Sequence, residues 1–359
     1  MKCIFFLSGD YADIGSEEIN SLFGVKSYKL GGRLAIADLN YDEKTIKRLA
    51  LTKSVYKFLF ECKSKDLIKS MKEFDWSSAY KDDFCVRLYD FNNGNTMTKK
   101  YINEKGNKNK IKISEKALAG HIWRSLKNPK VSLESPTTSI QLFIAEDRAY
   151  CGLLIYENKE DFESRRSHLR PFPHPSSLHP KVARALVNLT EIRENETLLD
   201  PFCGTGGFLI EAGLMKIKAV GYDINKMMAD GCAENLKHFK IKNCKIRNKN
   251  AVSIGDKFDH AVTDLPYGLN SNAMSAYEKD WKKHRINKKT GTRHFIKSLG
   301  QFYLRFLKSL RKKLRKKAVI VFPSYVNYRK LLKQSGFRIE KEFSNYVHRS
   351  LTRKIVKIE

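Results

Sequence analysis

The stretch Asp264-Leu265-Pro266-Tyr267 combines a carboxylate, a rigid turn and an aromatic ring at the end of a predicted strand. An exocyclic amine on an aromatic base is a poor nucleophile, because its lone pair is delocalised into the ring. The Asp264 side chain and the Leu265 carbonyl can accept the N–H hydrogens and direct that lone pair at an electrophile. Pro266 stiffens the turn without adding an N–H, and Tyr267 offers a face for an extruded base. The pattern predicts transfer to a base amino group, driven mainly by alignment. A turn that carries Pro266 and Gly268 for conformational reasons alone is the plain alternative.

A glycine-rich segment, Asp200–Gly207, lies between a predicted strand and a predicted helix. Gly204 and Gly206 leave room for the backbone to approach a ligand, and Gly207 eases packing where the helix starts. Asp223 closes the next strand about 20 residues later, where a carboxylate can accept both ribose hydroxyls. The third glycine of the dinucleotide fingerprint is absent, and Asp200 would repel a pyrophosphate but suit a cationic methionine tail. The segment predicts a nucleoside cofactor with such a tail; a glycine loop that binds no ligand is the alternative.

The second half of the chain alternates predicted strands and helices, which favours a parallel sheet wrapped on both faces. The last two strands have no helix between them, so they should pair antiparallel. A doubly wound, seven-stranded sheet that ends in a hairpin is the layout of class I methyltransferases, and this Rossmann-like α/β fold is predicted for residues 177–359. The predicted strands are Thr197–Asp200, Ala219–Tyr222, Lys245–Arg247, Phe258–Thr263, Ala318–Phe322, Phe337–Phe343 and Lys354–Ile358. The predicted helices are Leu178–Leu189, Phe208–Met215, Lys226–Phe239, Phe295–Leu314 and Tyr325–Gln334.

The first half of the chain has the pattern of a small α+β region. Gly31-Gly32 predicts a hairpin turn, because two glycines tolerate the positive φ of a tight turn. A short amphipathic helix is predicted over Ala117–Leu126, with Trp123 on its apolar side. The predicted organisation is an N-terminal α+β (ferredoxin-like) subdomain at 1–60, a second domain at 61–158, a linker at 159–176 and a catalytic domain at 177–359.

The composition points to a polyanionic partner. There are 68 Lys and Arg against 39 Asp and Glu, a formal net charge of +29. Such an excess is costly self-repulsion unless a polyanion relieves it, so nucleic acid or an anionic membrane surface is the natural partner. No apolar run approaches membrane-spanning length. A generally lysine-rich surface is the plain alternative explanation of the charge.

The cysteines and histidines predict no metal site. The seven cysteines are scattered, without a Cys-x-x-Cys pair. Neither a zinc site nor a disulfide framework follows, and a reducing cytoplasm is the expected location. His168, His174 and His179 also match no zinc spacing.

Three stretches together resemble a known family: Asp264–Tyr267, Arg170–Leu189 (RPFPHPSSLHPKVARALVNL) and Val347–Arg353 (VHRSLTR). They look like the archaeal tRNA (guanine(10)-N2)-methyltransferases, and the likeness covers nearly all of 110–359 and weakens before it. The resemblance implies a THUMP RNA-binding domain, at 61–158 here, ahead of a class I domain. That domain would use S-adenosylmethionine to methylate the exocyclic N2 of a tRNA guanosine, once or twice. The usual motif is Asp-Pro-Pro-Tyr; Leu265 replaces the first proline here, but the backbone carbonyl survives.

The resemblance also implies which residues form the sites. Asp264, Leu265, Pro266 and Tyr267 would hold the guanine. Asn250-Ala251 stands where many such enzymes carry Asp-Ala against the adenine. The predicted cofactor-binding residues are Pro175, Ser177, Leu178, Lys181, Asp200, Pro201, Phe202, Cys203, Gly204, Thr205, Gly206, Gly207, Asp223, Ile224, Asn250 and Ala251.

Basic clusters near these motifs predict RNA contacts. A basic loop beside an active-site mouth can clamp the phosphates around a flipped nucleotide. The predicted contacts are Arg165, Arg166, Lys282, Lys283, Arg285 and Arg293. A loop that is merely solvated is the alternative.

The partner is predicted to be tRNA, and the need for a small zinc-binding activator subunit, which some relatives use, stays open. Methylation of another tRNA guanosine, or of adenine N6 or another base amino group, also stays open. A catalytically inactive RNA-binding protein with the same fold is the alternative from another class, motivated by Leu265 and Asn250.

Overall fold

The computed structural model describes residues 1–92, 114–174, 177–267, 291–348 and 351–359. The chain forms two compact units, Met1–Lys47 with Leu51–Lys159, and Arg48–Ala50 with Glu160–Glu359. Within the described ranges no helix is both long enough and apolar enough to cross a membrane.

The first unit is built on one seven-stranded sheet, in the order β2-β3-β1-β4-β7-β6-β5. All neighbours pair antiparallel except β5 and β6, which are parallel. Its strands are β1 (Lys2–Leu7), β2 (Tyr28–Lys29), β3 (Leu34–Asp38), β4 (Thr52–Lys63), β5 (Phe84–Asp90), β6 (Thr138–Ala145) and β7 (Arg148–Glu157). Its helices are α1 (Ala12–Phe23), α2 (Glu43–Ile46), α3 (Leu67–Glu73) and α4 (Glu115–Ser125).

Two expectations for this half are corrected, and one is confirmed. The hairpin forms as expected, with Gly31 and Gly32 at φ of +96° and +56°. The boundary expected at residue 60 is wrong, because β4 runs through it and pairs with both β1 and β7 in one sheet. Trp123 is 47% exposed, while Leu118 and Ile122 make the buried side of α4.

The second unit carries the predicted doubly wound α/β sheet, in the order β10-β9-β8-β11-β12-β14-β13. Strands β8 to β12 are parallel, and β14 pairs antiparallel with both β12 and β13. Its strands are β8 (Thr197–Asp200), β9 (Lys218–Asp223), β10 (Cys244–Asn248), β11 (His260–Asp264), β12 (Ala318–Pro323), β13 (Ile339–His348) and β14 (Leu351–Ile358). Its helices are α5 (Pro180–Leu189), α6 (Gly207–Leu214), α7 (Lys226–His238), α8 (Gly291–Arg311) and α9 (Tyr328–Ser335).

Segment 160–174 was expected to be a linker, but it packs within the second unit. The Phe172 N–H donates to Asn235 Oδ1 at 3.0 Å, and the Phe172 carbonyl accepts from Asn235 Nδ2 at 3.0 Å. A side-chain carbon on Gly231 would lie 2.2 Å from the Phe172 ring, so only glycine allows this close approach. The segment is thus fixed on α7, next to α6, the helix that follows the glycine-rich segment Asp200–Gly207 (the glycine turn).

The core of the second unit shows why α8 lies on the sheet. Leu299, Phe302, Phe306 and Leu310 are buried at helical spacing. They belong to one hydrophobic cluster with Ile320 and other residues of β12. Burial of this stripe orients the helix beside the strands that carry the site.

Candidate active site

Three carboxylates end three neighbouring strands. Asp223 ends β9, Asp200 ends β8 and Asp264 ends β11. Because these strands are parallel, their carboxyl ends meet at one edge of the sheet, where open α/β sheets bind ligands. The structure therefore brings the predicted cofactor motif and the predicted catalytic motif together.

The glycine turn adopts a conformation that needs glycine. Gly204 and Gly206 have φ of +51° and +87°, in the left-handed region. A side-chain carbon on Gly206 would lie 2.5 Å from Cys232 Sγ. Asp223 supports the turn, because its Oδ2 accepts from the Gly204 N–H at 3.0 Å and its Oδ1 from the Asn225 N–H at 2.8 Å. Burial raises the pKa of Asp223 above its ordinary value, and these two backbone bonds partly offset the rise.

Asp200 does not offer an accessible carboxylate, which corrects its predicted role beside a cationic tail. Its residue exposure is 1%, and Oδ1 accepts from Thr263 Oγ1 at 3.0 Å and from the Phe202 N–H at 3.3 Å. Burial raises its pKa to about 8. Asp200 is then mostly protonated at neutral pH, and it ties β8 to β11 and to the start of the turn.

Of two further residues predicted to bind the cofactor, Ala251 lies in the core and Phe202 is partly buried against it. Ala251 is fully buried, so it cannot touch a bound adenine. Phe202 packs edge to face against Phe306 of α8, at 4.9 Å between ring centroids. Asn250 stays a candidate: its Oδ1 accepts from the Val252 N–H at 3.0 Å, and its amide group carries two further donors.

The segment before α5 meets the glycine turn. Ser177 Oγ lies 3.2 Å from Thr205 Oγ1, which joins two predicted cofactor-binding residues. Leu178 is buried, and the Lys181 N–H donates to His179 Nδ1 at 3.2 Å at the start of α5. Pro175 lies outside the described residues. The remaining predicted residues, Pro201, Cys203, Gly207 and Ile224, belong to or adjoin the same turn and strand end.

The residues Asp264–Tyr267, called the catalytic turn below, form a hydrogen-bond network. The Tyr267 hydroxyl donates to Asp264 Oδ1, so the ring is fixed against the carboxylate it follows in sequence. Arg353 of β14 completes the network, because its Nε donates to the Tyr267 hydroxyl oxygen at 2.9 Å. Burial raises the pKa of Asp264 to about 6, against the lowering effects of Arg353 and of the Tyr267 bond. Asp264 is thus mostly an ionised acceptor at neutral pH, and it becomes protonated when the pH falls below about 6.

Three successive carbonyls after Asp264 have different surroundings. The Pro266 carbonyl accepts from the Tyr303 hydroxyl at 2.7 Å, and the Tyr267 carbonyl accepts from the Tyr325 hydroxyl at 2.5 Å. The Leu265 N–H donates to the Val321 carbonyl at 3.1 Å, as in a parallel ladder.

The next bond of that ladder would run from the N–H of residue 323 to the Leu265 carbonyl. Residue 323 is proline, which has no N–H. No donor to the Leu265 carbonyl is found in the described part of the chain. Among the described residues the Leu265 carbonyl thus lacks a hydrogen-bond partner, while the residue as a whole is buried.

The predicted RNA contact at Arg165 is wrong, because Arg165 is only 8% exposed. Its Nε donates to Glu211 Oε1 at 2.8 Å, and Arg184 Nε donates to Glu211 Oε2 at 2.9 Å. Removing one partner would leave an unpaired buried charge, so Arg165 has a structural role. Arg166 is exposed and pairs with Glu163 at 3.3 Å, a contact that an RNA phosphate could replace. The remaining predicted contacts lie outside the described residues or, for Arg293, have no described side chain: Lys282, Lys283, Arg285 and Arg293.

Sequence reasoning missed the residues that support the catalytic turn. Tyr303, Tyr325 and Arg353 reach it from three segments that are distant in sequence, so no local spacing indicates them. Thr263, which directly precedes Asp264, bonds Asp200 of the neighbouring strand instead. Arg353 stood inside the final motif of the resemblance, but nothing in that motif indicated its contact with Tyr267. The proline at the end of β12 was a visible signal, because a proline there removes one ladder donor.

Comparisons with known proteins agree with this geometry. Residues 167–282 match the family model described as RMKL-like, methyltransferase domain. The fold is similar to the crystal structure of TrmN from Thermus thermophilus, with a TM-score of 0.51 and 15% identity over 100% of this chain and 99% of that one.

Two curated relatives are similar in sequence. A tRNA (guanine(10)-N2)-dimethyltransferase of Methanothermobacter thermautotrophicus is 31% identical over 100% of this chain and 99% of its own length. A protein of the same name from Methanocaldococcus jannaschii is 31% identical over 77% of this chain and 85% of its own length. The chain belongs to the family of tRNA (guanine(10)-N2)-dimethyltransferases.

Proposed function

We propose that the protein transfers methyl groups from S-adenosylmethionine to the exocyclic N2 of a tRNA guanosine, at position 10, once or twice. The observation that carries this proposal is that Asp264 and the adjacent Leu265 carbonyl, which accepts no hydrogen bond from the described residues, lie at the sheet edge that also carries the glycine turn. Two adjacent acceptors match the two N–H hydrogens of an amino group. The names of the relatives support the choice of tRNA and of guanine N2.

The described residues fit the proposed cofactor. Gly204 and Gly206 keep side chains off the turn, and the half-buried Asp223 has carboxylate lone pairs for ribose hydroxyls beyond its two backbone bonds. Asn250, after β10, offers amide donors to a purine ring. S-adenosylmethionine, when bound, supplies an electrophilic methyl group on a sulfonium.

The residues of the chain align the amino group and take its proton. Asp264 accepts one N–H and the Leu265 carbonyl accepts the other, which directs the nitrogen lone pair out of the ring plane. As the N–C bond forms, the C–S electron pair goes to sulfur and the nitrogen becomes cationic. Asp264, with its pKa near 6, is ionised at neutral pH and can accept the proton that this nitrogen releases. After one methylation a single N–H remains, which one of the two acceptors can still hold.

The first unit is proposed to bind the tRNA. The THUMP domain that the resemblance implies is proposed to lie within this unit, whose sheet continues through residue 60. The net charge of +29 favours phosphate contacts over the whole chain. A grip on one end of the tRNA would select the target by distance and shape, a common mode of RNA recognition.

Inosine tests the site on the substrate, because it is a guanosine without the N2 amino group. We expect a tRNA transcript with G10 to accept methyl groups from labelled S-adenosylmethionine, and the same tRNA with inosine at position 10 to accept none. Equal binding of both tRNAs would show that the loss is chemical. Unchanged transfer to the inosine tRNA would overturn the assignment, and would point to another guanosine or to an adenine N6.

A further inference from the structure

Arg353 of β14 connects this strand to the catalytic turn. It stands on β14 opposite Pro323 of β12, and its side chain is 13% exposed. Its Nε lies 2.9 Å from the Tyr267 hydroxyl oxygen, and its Nη2 lies 3.8 Å from Asp264 Oδ2. The guanidinium carbon is 5.9 Å from the centroid of the Tyr267 ring. One side chain thus contacts both functional groups of the turn.

The direction of these bonds is determined by chemistry. A guanidinium has donors only, so the Tyr267 oxygen must accept from Arg353. The hydroxyl hydrogen of Tyr267 then points to Asp264 Oδ1. Because a carboxylate has two oxygens, this bond leaves Oδ2 as an acceptor for a substrate N–H.

The groups around Asp264 come from several elements. Asp200 of β8 adds a like charge when ionised, and the buried Tyr303 of α8 and Tyr325 after β12 face the turn with neutral hydroxyls. Arg353 of β14 brings a positive charge. Its loss would leave the hydrogen bond from the Tyr267 hydroxyl as the remaining effect that lowers the pKa of this buried carboxylate.

We propose that Arg353 is a positioning residue of the transfer site, which holds the Tyr267 ring in register and keeps a positive charge beside the Asp264 carboxylate. The inference rests on the proposed function. A purely structural alternative is that Arg353 only attaches β14 to the turn. The two readings differ in their dependence on pH, because only the first acts through the ionisation of Asp264.

The kinetic test compares Arg353→Met, Arg353→Lys and a matched control, Lys354→Met, in the full-length protein. Lys354 is the next residue of β14, and its Nζ contacts Ser344 instead of the turn. Single-turnover methyl transfer to tRNA is followed from about pH 5 to about pH 9, around the Asp264 pKa.

We expect Arg353→Met to lower the rate about tenfold to a hundredfold at neutral pH. The acidic limb of its pH–rate profile should move up by about one pH unit, because the ionised Asp264 carboxylate loses its positively charged partner. Arg353→Lys keeps the charge, so its limb should stay near that of the wild type while the rate recovers only in part. Lys354→Met should match the wild type in both. An unmoved limb in Arg353→Met would overturn the proposal.

A second measurement does not depend on activity. The free energy of unfolding of the wild type and of Arg353→Met is compared across the same pH range, with and without Asp264→Asn. We expect the loss caused by Arg353→Met to grow as the pH rises through the Asp264 pKa, and this growth to vanish in the Asp264→Asn background. A loss that is independent of pH contradicts the proposal. If the wild type transfers no methyl group, the proposed function fails, while the unfolding data still decide whether Arg353 acts on the charge of Asp264.

Discussion

At the scale of single residues, two aspartates at the same sheet edge have different roles because their surroundings differ. Asp264 keeps a partly open carboxylate beside Arg353, whereas Asp200 is enclosed and bonded to Thr263. Burial is the largest cause of the raised pKa at both, to about 6 and about 8 respectively. The sequence pattern alone cannot distinguish them, because each simply follows a buried strand.

Asp200 should therefore make the stability of the fold depend on pH. Its folded pKa of about 8 lies above the ordinary carboxyl value of 3.8. For an acid with a raised folded pKa, stability is full below the unfolded pKa and falls as the pH rises towards the folded one. We expect Asp200→Asn to remove this fall, so the variant gains on the wild type from about pH 4 to about pH 8. Thermal unfolding measured across this range provides the check.

Asp200→Ala is the contrasting variant, since it deletes the Thr263 bond and leaves a buried hydroxyl unpaired. It should lower stability by about 1–3 kcal/mol at acidic pH, where the wild-type carboxyl is neutral. If Asp200→Asn and the wild type show the same pH dependence, Asp200 is not the buried, protonated group described above.

At this scale the motif order was sufficient to predict which motifs lie together at one edge of the sheet. The glycine turn, Asp223 and the catalytic turn were found because their residue types follow predicted strands at regular positions. Ala251 was misassigned and Arg353 was missed, since burial and contacts between distant segments depend on packing that no local pattern reports.

At the scale of elements, the end of β12 controls an acceptor on its neighbour. Pro323 removes the ladder N–H that would otherwise bond the Leu265 carbonyl. We expect Pro323→Ala to supply that donor, which would compete with the substrate N–H for the carbonyl. Methyl transfer should slow by only about tenfold, because the carbonyl keeps a second lone pair for the substrate. The melting temperature should stay the same or rise, since a backbone bond is gained. A variant that is both as fast as the wild type and equally stable would show that the carbonyl is not used.

The glycine turn allows a second test at this scale. Gly206→Ala places a carbon against Cys232 in a left-handed backbone conformation, and should cost about 1–3 kcal/mol of stability and weaken cofactor binding. Gly300→Ala is the matched control: Gly300 lies inside α8 with open space around it, and the change should stabilise by about 0.5–1 kcal/mol. Calorimetry of both variants, with titration of S-adenosylmethionine, gives the comparison. Tight cofactor binding by Gly206→Ala would contradict the assigned turn.

Elements of the second unit were more predictable than those of the first. Strands and helices alternate there, so the spacing of apolar residues changes from each element to the next. All seven strands were expected. In the first unit β4 continues through the expected boundary, because its partners β1 and β7 lie far from it in sequence. Pairings of that kind leave no short-range signal.

At the scale of the whole molecule, the excess of positive charge should govern the encounter with RNA. With a formal net charge of +29, binding of tRNA should release many counterions. We expect the affinity to fall by about a hundredfold or more between about 50 and about 200 mM salt, while the affinity for S-adenosylmethionine changes little. Equilibrium titrations at several salt concentrations measure both. A tRNA affinity that is insensitive to salt would contradict a phosphate-based interface.

Asp264 and the Leu265 carbonyl are proposed to hold a guanine amino group beside the glycine turn. This role can be tested by mass spectrometry of nucleosides from tRNA incubated with the full-length protein and S-adenosylmethionine, with Asp264→Ala in parallel. We expect N2-methylguanosine and N2,N2-dimethylguanosine from the wild type. The variant should lose at least about a hundredfold of this activity and should still bind both cofactor and tRNA. Methyl groups found on another atom, or near-normal turnover by Asp264→Ala, would contradict this role.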